Sequence, residues 1–200
     1  LKDAGIADSI TTYARGGGTV LGICGGFQML GNVIRDPHHT ESVCDCETGL
    51  QLLDMSTVFH GNKRTTQAIV TIHGNSAWPF RELSGVQVKG YEIHMGQSEF
   101  GECVPFTGAI EAQGVETIIG IADSTGRIFG TYCHGLFDRK GVVSGVINAL
   151  RKAKRLSDIQ LELIDRQQAL DKDLNHLAAI CRAKLDMNKI AHIINDHTTL

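Results

Sequence analysis

A cysteine flanked by glycines lies between a predicted strand and a predicted helix. Residues 19–23 form a short apolar run that is typical of a buried strand, and the apolar spacing over residues 27–34 predicts a helix that ends before Asp36-Pro37. Between them stands the segment Gly22-Ile23-Cys24-Gly25-Gly26. A strand that turns directly into a helix needs a tight turn, so the residues beside the turn must lack bulk. The segment therefore predicts a nucleophile elbow in an α/β fold, with Cys24 at the turn.

The position of Cys24 at the start of a helix favours a reactive sulfur. The free N–H groups and the dipole of a helix N-terminus stabilise a thiolate, which is the nucleophilic form of cysteine. The N–H of Gly25 can point at an oxyanion that forms on the attacked carbonyl. An isolated G-x-C-x-G is more often a structural cysteine beside a tight turn, but the strand–turn–helix context favours a nucleophile.

A thiolate nucleophile needs a proton carrier, and His134 is the best placed of the nine histidines. Residues 128–133 read as a strand that ends at His134 and is followed by Gly135. Ligands of open α/β sheets bind beside strand ends, although a histidine there is often only a capped surface residue. Cys24 and His134 together predict nucleophilic acyl chemistry.

The remaining pattern predicts one domain of mixed α/β layers, with helices flanking a sheet. A helix is expected over residues 5–15, ended by Gly16-Gly17-Gly18, and strands over residues 67–73, 85–91, 117–123 and 128–133. Residues 123–126 read as a hairpin turn. From Val142 the chain turns helical, and residues from about 156 to 200 form a helical part with one or two amphipathic helices packed on the body.

Composition excludes several function classes. The chain is 42% hydrophobic with a net charge of −3, so no basic excess indicates nucleic-acid binding. We expect no membrane span, because no apolar stretch reaches the roughly 18 residues that one needs. Six irregularly spaced cysteines predict a reducing, cytoplasmic setting rather than a disulfide framework. The cluster of His38, His39, Cys44, Asp45 and Cys46 matches no standard zinc spacing, so no metal site is predicted.

Three motifs, in order along the chain, resemble those of one family. They are GICGGFQMLG at 22–31, GYEIHMG at 90–96 and GTYCHGLFD at 130–138. They are similar to the motifs of the cobyric acid synthase and cobyrinic acid diamide synthase group of class I glutamine amidotransferases. The resemblance covers nearly the whole chain.

The resemblance implies a three-layer α/β/α, flavodoxin-like fold with a mixed sheet, and a domain that hydrolyses glutamine. Cys24 would form a γ-glutamyl thioester and His134 would carry protons, while Gly25 and Gln28 would help to hold the substrate. Tyr91, Glu92 and His94 of the second motif are predicted to bind substrate as well. No cofactor is expected in this domain. Ammonia would pass to a synthetase domain that uses ATP and magnesium to amidate carboxylates of adenosylcobyrinic acid a,c-diamide in cobalamin biosynthesis.

The chain departs from the family pattern at two places. Many class I relatives carry a glutamate two residues after the catalytic histidine, where this chain has Leu136, and Glu92 is a candidate carboxylate to orient His134 instead. The synthetase domain, the first strand of the sheet and an oxyanion loop are expected upstream of Leu1, which is not a Met. We therefore expect a fragment that hydrolyses glutamine poorly by itself.

Three other functions stay open from the sequence. A related ligase of the cobyrinic acid diamide synthase type would share the elbow and the histidine. A free Cys–His hydrolase would share the elbow but not Gln28 or the motif at 90–96. A non-catalytic regulatory module would keep the fold and dock a partner, although the intact Cys24 and His134 argue against it.

Overall fold

The computed structural model describes residues 1–61, 64–73, 78–110, 114–162 and 166–196. The chain forms two compact units, Leu1–Gln160 and Leu161–Leu200. The helices are α1 (Ile6–Arg15), α2 (Gly25–Leu30), α3 (Lys140–Ala153), α4 (Arg166–Lys184) and α5 (Met187–Asp196). The strands are β1 (Val20–Ile23), β2 (Val33–Arg35), β3 (Cys46–Thr48), β4 (Met55–Val58), β5 (Arg64–Ile72), β6 (Gln87–His94), β7 (Gln97–Phe100), β8 (Val104–Ile110), β9 (Glu116–Ala122), β10 (Ile128–Thr131) and β11 (Cys133–His134).

Two mixed sheets form the first unit. The larger sheet has seven strands in the order β1-β10-β9-β8-β5-β6-β11. In the described residues of this sheet, β1 and β10 pair in parallel, and the other neighbouring strands pair antiparallel. The smaller sheet has the order β3-β2-β4-β7, with β2 and β4 parallel. This confirms the predicted mixed α/β class, and it brings β1, β10, β11 and β6, which carry the predicted motifs, into one sheet.

The segment around the elbow is a shorter helix than the sequence predicts. The helix α1 is confirmed and ends at the predicted glycines, where Gly17 has a left-handed φ of 86°. After the elbow, however, α2 ends at Leu30, and Val33–Arg35 is the strand β2 rather than helix. The Asn32 N–H donates to the Met55 carbonyl at 2.7 Å and draws the chain into the smaller sheet, where the β-branched residues of β2 fit.

The strands of the larger sheet follow the sequence pattern closely. The four predicted runs correspond to β5, β6, β9 and β10 with β11. The predicted hairpin joins β9 to β10, and Asp123 Oδ1 accepts hydrogen bonds from the N–H groups of Arg127 and Ile128 at 2.9 and 3.0 Å. The sequence analysis missed β8 and the four short strands of the smaller sheet.

An aromatic core fixes the elbow helix on the sheet. Phe27 of α2 is fully buried and packs edge-on against Tyr132, with ring centroids 5.0 Å apart. Its ring lies over Gly130 of β10, where any Cβ would collide with it. Burying one such side chain stabilises the fold by about 1.5–3 kcal/mol. The strand that ends before His134 and the helix that follows Cys24 are therefore held against each other by this contact.

The second unit consists of helices in its described residues. The helix α4 carries Leu170, Leu174 and Leu177 at spacings of four and three, and α5 follows it. The prediction of one or two helices in this region is confirmed. Among the described residues, no helix is both long enough and apolar enough to cross a membrane.

Candidate active site

Cys24 occupies a strained turn between β1 and α2. Its backbone has φ 55° and ψ −115°, a conformation that residues with a side chain rarely adopt and that clusters at functional sites. Its N–H donates to the Thr131 carbonyl at 3.0 Å, and its carbonyl accepts from the Gln28 N–H at 3.1 Å. A Cβ at Gly22 would lie 2.6 Å from the Gly26 carbonyl oxygen, so the turn closes only with glycine there. The predicted elbow is confirmed as a local geometry.

The glycines after Cys24 have a different role from Gly22. An ideal Cβ at Gly25 or at Gly26 would meet no heavy atom within 4 Å. Protein packing therefore does not require glycine at these two positions. Both residues begin α2, and the first N–H groups of a helix have no partner within the helix. Open space beside Cys24 and N–H groups that can face it are what an oxyanion site needs.

The thiol of Cys24 is hydrogen-bonded to the backbone of β6. Its Sγ donates to the Ile93 carbonyl at 3.1 Å. Among the hydrogen bonds of the described residues, none joins Cys24 to His134. Because a carbonyl oxygen can only accept, this contact requires the proton to be on the sulfur. The geometry is that of a resting thiol, which must leave Ile93 before it can act as a thiolate.

His134 lies on β11, which pairs with β6. It pairs with Tyr91 across β11 and β6, and the two rings are stacked with centroids 5.0 Å apart and planes 7° apart. Its Nε2 is buried and has no hydrogen-bond partner among the described residues. Tyr91 and Ile93 are two residues apart on β6, which corresponds to roughly 7 Å along a strand. Cys24 and His134 thus contact the same strand at two positions, Cys24 at the Ile93 carbonyl and His134 at the Tyr91 ring.

Glu92 does not orient His134, contrary to the suggestion from the sequence. Glu92 pairs with Cys133 in the ladder, whereas His134 pairs with Tyr91. Successive residues of a strand point to opposite faces, so Glu92 lies on the face away from the His134 ring. Its Oε1 instead lies 2.6 Å from Nε2 of His94.

Gln28 is directed toward the turn after β6. Its side chain is buried, and Nε2 donates to the Met95 carbonyl at 3.1 Å. It also hydrogen-bonds to Tyr132. The role in substrate binding that the sequence predicts for Gln28 stays a prediction.

Tyr132 is a site residue that the sequence analysis missed. Its hydroxyl lies 2.5 Å from the Ser98 hydroxyl, which in turn lies 2.7 Å from Thr57 Oγ1. Burial raises the pKa of Tyr132, although its hydrogen bonds with Ser98, Gln28 and Thr57 act in the opposite direction. A charge on Cys24 would raise the pKa of Tyr132 further. Its position two residues before His134 in the third motif was the only signal for it.

Cys133 is a second cysteine near the site, but its thiol is not expected to react as a nucleophile. It is fully buried. Burial, followed by the charges of Asp138 and Glu92, raises the pKa of its thiol to about 12. At neutral pH Cys133 is therefore a protonated core residue.

A comparison with protein families decides the identity of this arrangement. Residues 1–142 match the model of the CobB/CobQ-like glutamine amidotransferase domain. The chain belongs to that family.

Curated relatives of this amidotransferase domain agree with the assignment. It is 39% identical over 197 residues to a cobyric acid synthase of Thermoanaerobacter sp. (strain X514), covering 97% of this chain and 39% of the relative. It is 38% identical over 197 residues to a cobyric acid synthase of Clostridium botulinum (strain Kyoto / Type A2), covering 97% of this chain and 38% of the relative. The chain spans about two fifths of the length of these relatives.

A solved structure supports the fold of the amidotransferase domain. A chain in the structure of PurLQS from Thermotoga maritima superposes with a TM-score of 0.51 at 17% identity. The match covers 72% of this chain and 68% of that chain. At this identity the likeness concerns the fold alone.

The amidotransferase domain also contains the histidine and cysteine cluster considered above as a metal site. There, His39 Nε2 lies 3.2 Å from Asp45 Oδ1, and His39 Nδ1 lies 3.3 Å from the Ser42 carbonyl. Across the described ranges, no three His, Cys, Asp or Glu side chains converge on a possible metal position. The loop is instead organised by Asp36, whose carboxylate accepts three backbone N–H groups at 2.8 Å each.

Proposed function

We propose that this domain hydrolyses glutamine, with Cys24 as nucleophile and His134 as proton carrier. The observation that carries the proposal is the strained elbow, which places the Cys24 sulfur beside open space and against the strand on which His134 is stacked. The Nε2 of His134, buried and without a hydrogen-bond partner among the described residues, supports it further, because native proteins rarely leave a buried polar atom unsatisfied unless it has a role such as catalysis.

The reaction begins when the Cys24 thiol leaves the Ile93 carbonyl and gives its proton to His134. The thiolate then attacks the side-chain amide carbon of glutamine, and the Gly25 N–H donates to the oxyanion that develops. His134 returns the proton to the leaving nitrogen, so ammonia departs and a γ-glutamyl thioester remains on Cys24. Water, deprotonated by His134, attacks the thioester, and glutamate leaves as the sulfur is protonated again.

Substrate binding is assigned to the residues around this centre. Gln28 and the N–H of Gly25 border the elbow, and Tyr91 is partly exposed where it covers the His134 ring. Glu92 and His94 belong to the same motif as Tyr91 and are bonded to each other. Hydrogen bonds from such groups would orient the side-chain amide of glutamine toward the sulfur.

In the whole protein, we propose that the ammonia is used by a synthetase domain of the same chain. The names of the curated relatives and the two fifths of their length that this domain spans support this arrangement. That domain would use ATP and magnesium to activate carboxylates of adenosylcobyrinic acid a,c-diamide, in the cytoplasm. The corrinoid would bind to the synthetase domain rather than to this one.

The test is Cys24→Ser in the full-length protein, assayed with either glutamine or ammonium as the nitrogen donor. Amidation with glutamine should disappear, because a serine hydroxyl is a far weaker nucleophile than a thiolate. Amidation with ammonium should persist, because the synthetase chemistry does not use the sulfur. Equal loss with both donors, or no loss with glutamine, would refute the assignment.

A further inference from the structure

Glu92 and His94 form a buried pair directly behind the carbonyl groups that contact Cys24 and Gln28. Their side chains are only 5% and 10% exposed, and Glu92 Oε1 lies 2.6 Å from His94 Nε2. Both residues point to the face of β6 away from His134. None of the proton transfers and bond changes proposed above uses this pair.

Both ring nitrogens of His94 are engaged by protein oxygens. Nδ1 lies 3.0 Å from the Gly96 carbonyl oxygen, which can only accept, so Nδ1 must donate. Nε2 faces the Glu92 carboxyl, with the proton of that bond on either partner. The ring is thus tied at both ends, and neither nitrogen is left to contact a substrate.

A third contact clamps the face of the same ring. His94 is stacked on Tyr132, with ring centroids 3.9 Å apart and planes 20° apart. Tyr132 is itself held by the Ser98 hydroxyl at 2.5 Å. The imidazole therefore joins β6 to the segment between β10 and β11.

The bonds of His94 enclose a short stretch of backbone whose carbonyls contact the elbow. The Glu92–His94 bond and the His94–Gly96 bond bracket residues 92–96, which turn at Gly96 with a φ of 85°. Within that stretch the Ile93 carbonyl accepts from Cys24 Sγ, and the Met95 carbonyl accepts from Gln28 Nε2, each at 3.1 Å. Any movement of residues 92–96 would therefore shift the Cys24 sulfur and the Gln28 side chain together.

We propose that Glu92 and His94 are a positioning pair, whose hydrogen bond fixes residues 92–96. The Ile93 carbonyl then holds the resting thiol at the point from which it is released, and the Met95 carbonyl holds Gln28 beside the elbow. The inference rests on the proposed function and refines it, since the sequence assigns both residues to substrate binding. A positioning pair acts on turnover through other residues. A direct ligand acts on substrate affinity.

The experiment compares Glu92→Gln, Glu92→Ala and His94→Asn with the wild type in glutamine hydrolysis by the full-length protein. Rates are normalised to the amount of Cys24 that an electrophilic glutamine analogue can titrate, so that unfolded protein does not count. The matched control is His73→Asn. His73 also faces a glutamate, Glu116 at 3.3 Å, but it follows the far end of β5 from the residue that pairs with His94.

If Glu92 and His94 are a positioning pair, replacing either residue should lower kcat and leave the KM for glutamine nearly unchanged. His94→Asn and Glu92→Ala should lower kcat by about 10- to 100-fold, since displacements near 1 Å can cost that much. Glu92→Gln keeps the shape and one hydrogen bond to His94, so it should retain most of the turnover and stays informative if the other variants do not fold. The control His73→Asn should match the wild type.

Three results would overturn the inference: a raised KM with kcat retained, which indicates direct substrate binding; a Glu92→Gln variant as impaired as Glu92→Ala, which indicates that the charge matters; or unchanged kinetics in all three variants. A wild type that does not hydrolyse glutamine would instead contradict the proposed function. The two failures are therefore distinguishable.

Discussion

The thiol of Cys24 donates its hydrogen bond to the Ile93 carbonyl at 3.1 Å and not to the ring of His134. His134 stacks on Tyr91, which lies two residues before Ile93 on β6. The Nε2 of His134 is buried and has no hydrogen-bond partner within the described part of the chain. The nucleophile and the proton carrier thus both contact β6, at Ile93 and at Tyr91, without a hydrogen bond between them in the described residues. Catalytic hydrogen bonds are often long or absent in free enzymes and form when substrate binds. We infer that glutamine displaces the thiol from Ile93 and completes the pair.

Replacing His134 should remove proton transfer without disturbing the fold. We expect His134→Asn to lower the turnover of glutamine by about 10²–10⁴-fold, the usual contribution of a general acid–base. The measurement is steady-state ammonia release by the full-length protein, with urea unfolding as a check on stability. His39→Asn, in the exposed pair with Asp45, is the matched control. Turnover of His134→Asn within about threefold of wild type would show that another group carries the proton.

The two kinds of glycine at the elbow can be separated by alanine substitution. Gly22→Ala places a methyl group 2.6 Å from the Gly26 carbonyl oxygen, so it should destabilise the domain by about 1–3 kcal/mol. Gly25→Ala meets no heavy atom within 4 Å and should unfold at the same urea concentration as wild type. Its methyl group would occupy the space beside Cys24, so the KM for glutamine should rise. Equal destabilisation by the two variants would contradict this division.

The burial of Cys133 predicts a loss of stability at alkaline pH. Its pKa is raised to about 12 in the folded protein, above the ordinary thiol value of 9.0. A raised folded pKa contributes stability that is complete below about pH 9 and is lost as pH rises toward 12, because the unfolded thiol ionises first. The slope for this one proton approaches about 1.4 kcal/mol per pH unit.

The check is the free energy of unfolding between about pH 8 and pH 10, from urea titrations of wild type and Cys133→Ala. Wild type should lose stability more steeply than the variant over this interval. Cys44→Ala, which removes an exposed thiol, should follow the wild-type slope. Parallel curves for wild type and Cys133→Ala would mean that the thiol is not desolvated as the structure indicates.

The parts of the fold that the sequence predicts are those set by local pattern. The elbow at Cys24 follows from an apolar run, a glycine-flanked turn and a helix within ten residues. The smaller sheet could not be predicted in this way, because its strands have three or four residues each and gain their stability from distant partners. Val33 and Ile34 fit a helical spacing, yet they pair with β4, whose first residue is Met55.

In the candidate site, too, the sequence predicts the residues that stand in local motifs but not the contacts with distant parts of the chain. Cys24 and His134 are recognisable because their chemistry resides in their side chains and their motifs are contiguous. The acceptor of the Cys24 thiol is a backbone carbonyl 69 residues away, and a carbonyl has no sequence signature. The suggestion that Glu92 orients His134 could have been avoided, since adjacent residues of a predicted strand face opposite sides of the sheet. Pairing of Tyr91 with His134 then excludes Glu92.

Mass spectrometry after reaction with a diazoketone analogue of glutamine tests the central claim most directly. The full-length protein should gain one equivalent of adduct, located on Cys24, because only a thiolate beside a glutamine site would attack the analogue. Cys24→Ser should gain none, and Cys133→Ala should react as wild type. An adduct on a different residue, or hydrolysis of glutamine that continues in Cys24→Ser, would contradict the assignment of Cys24 as the nucleophile.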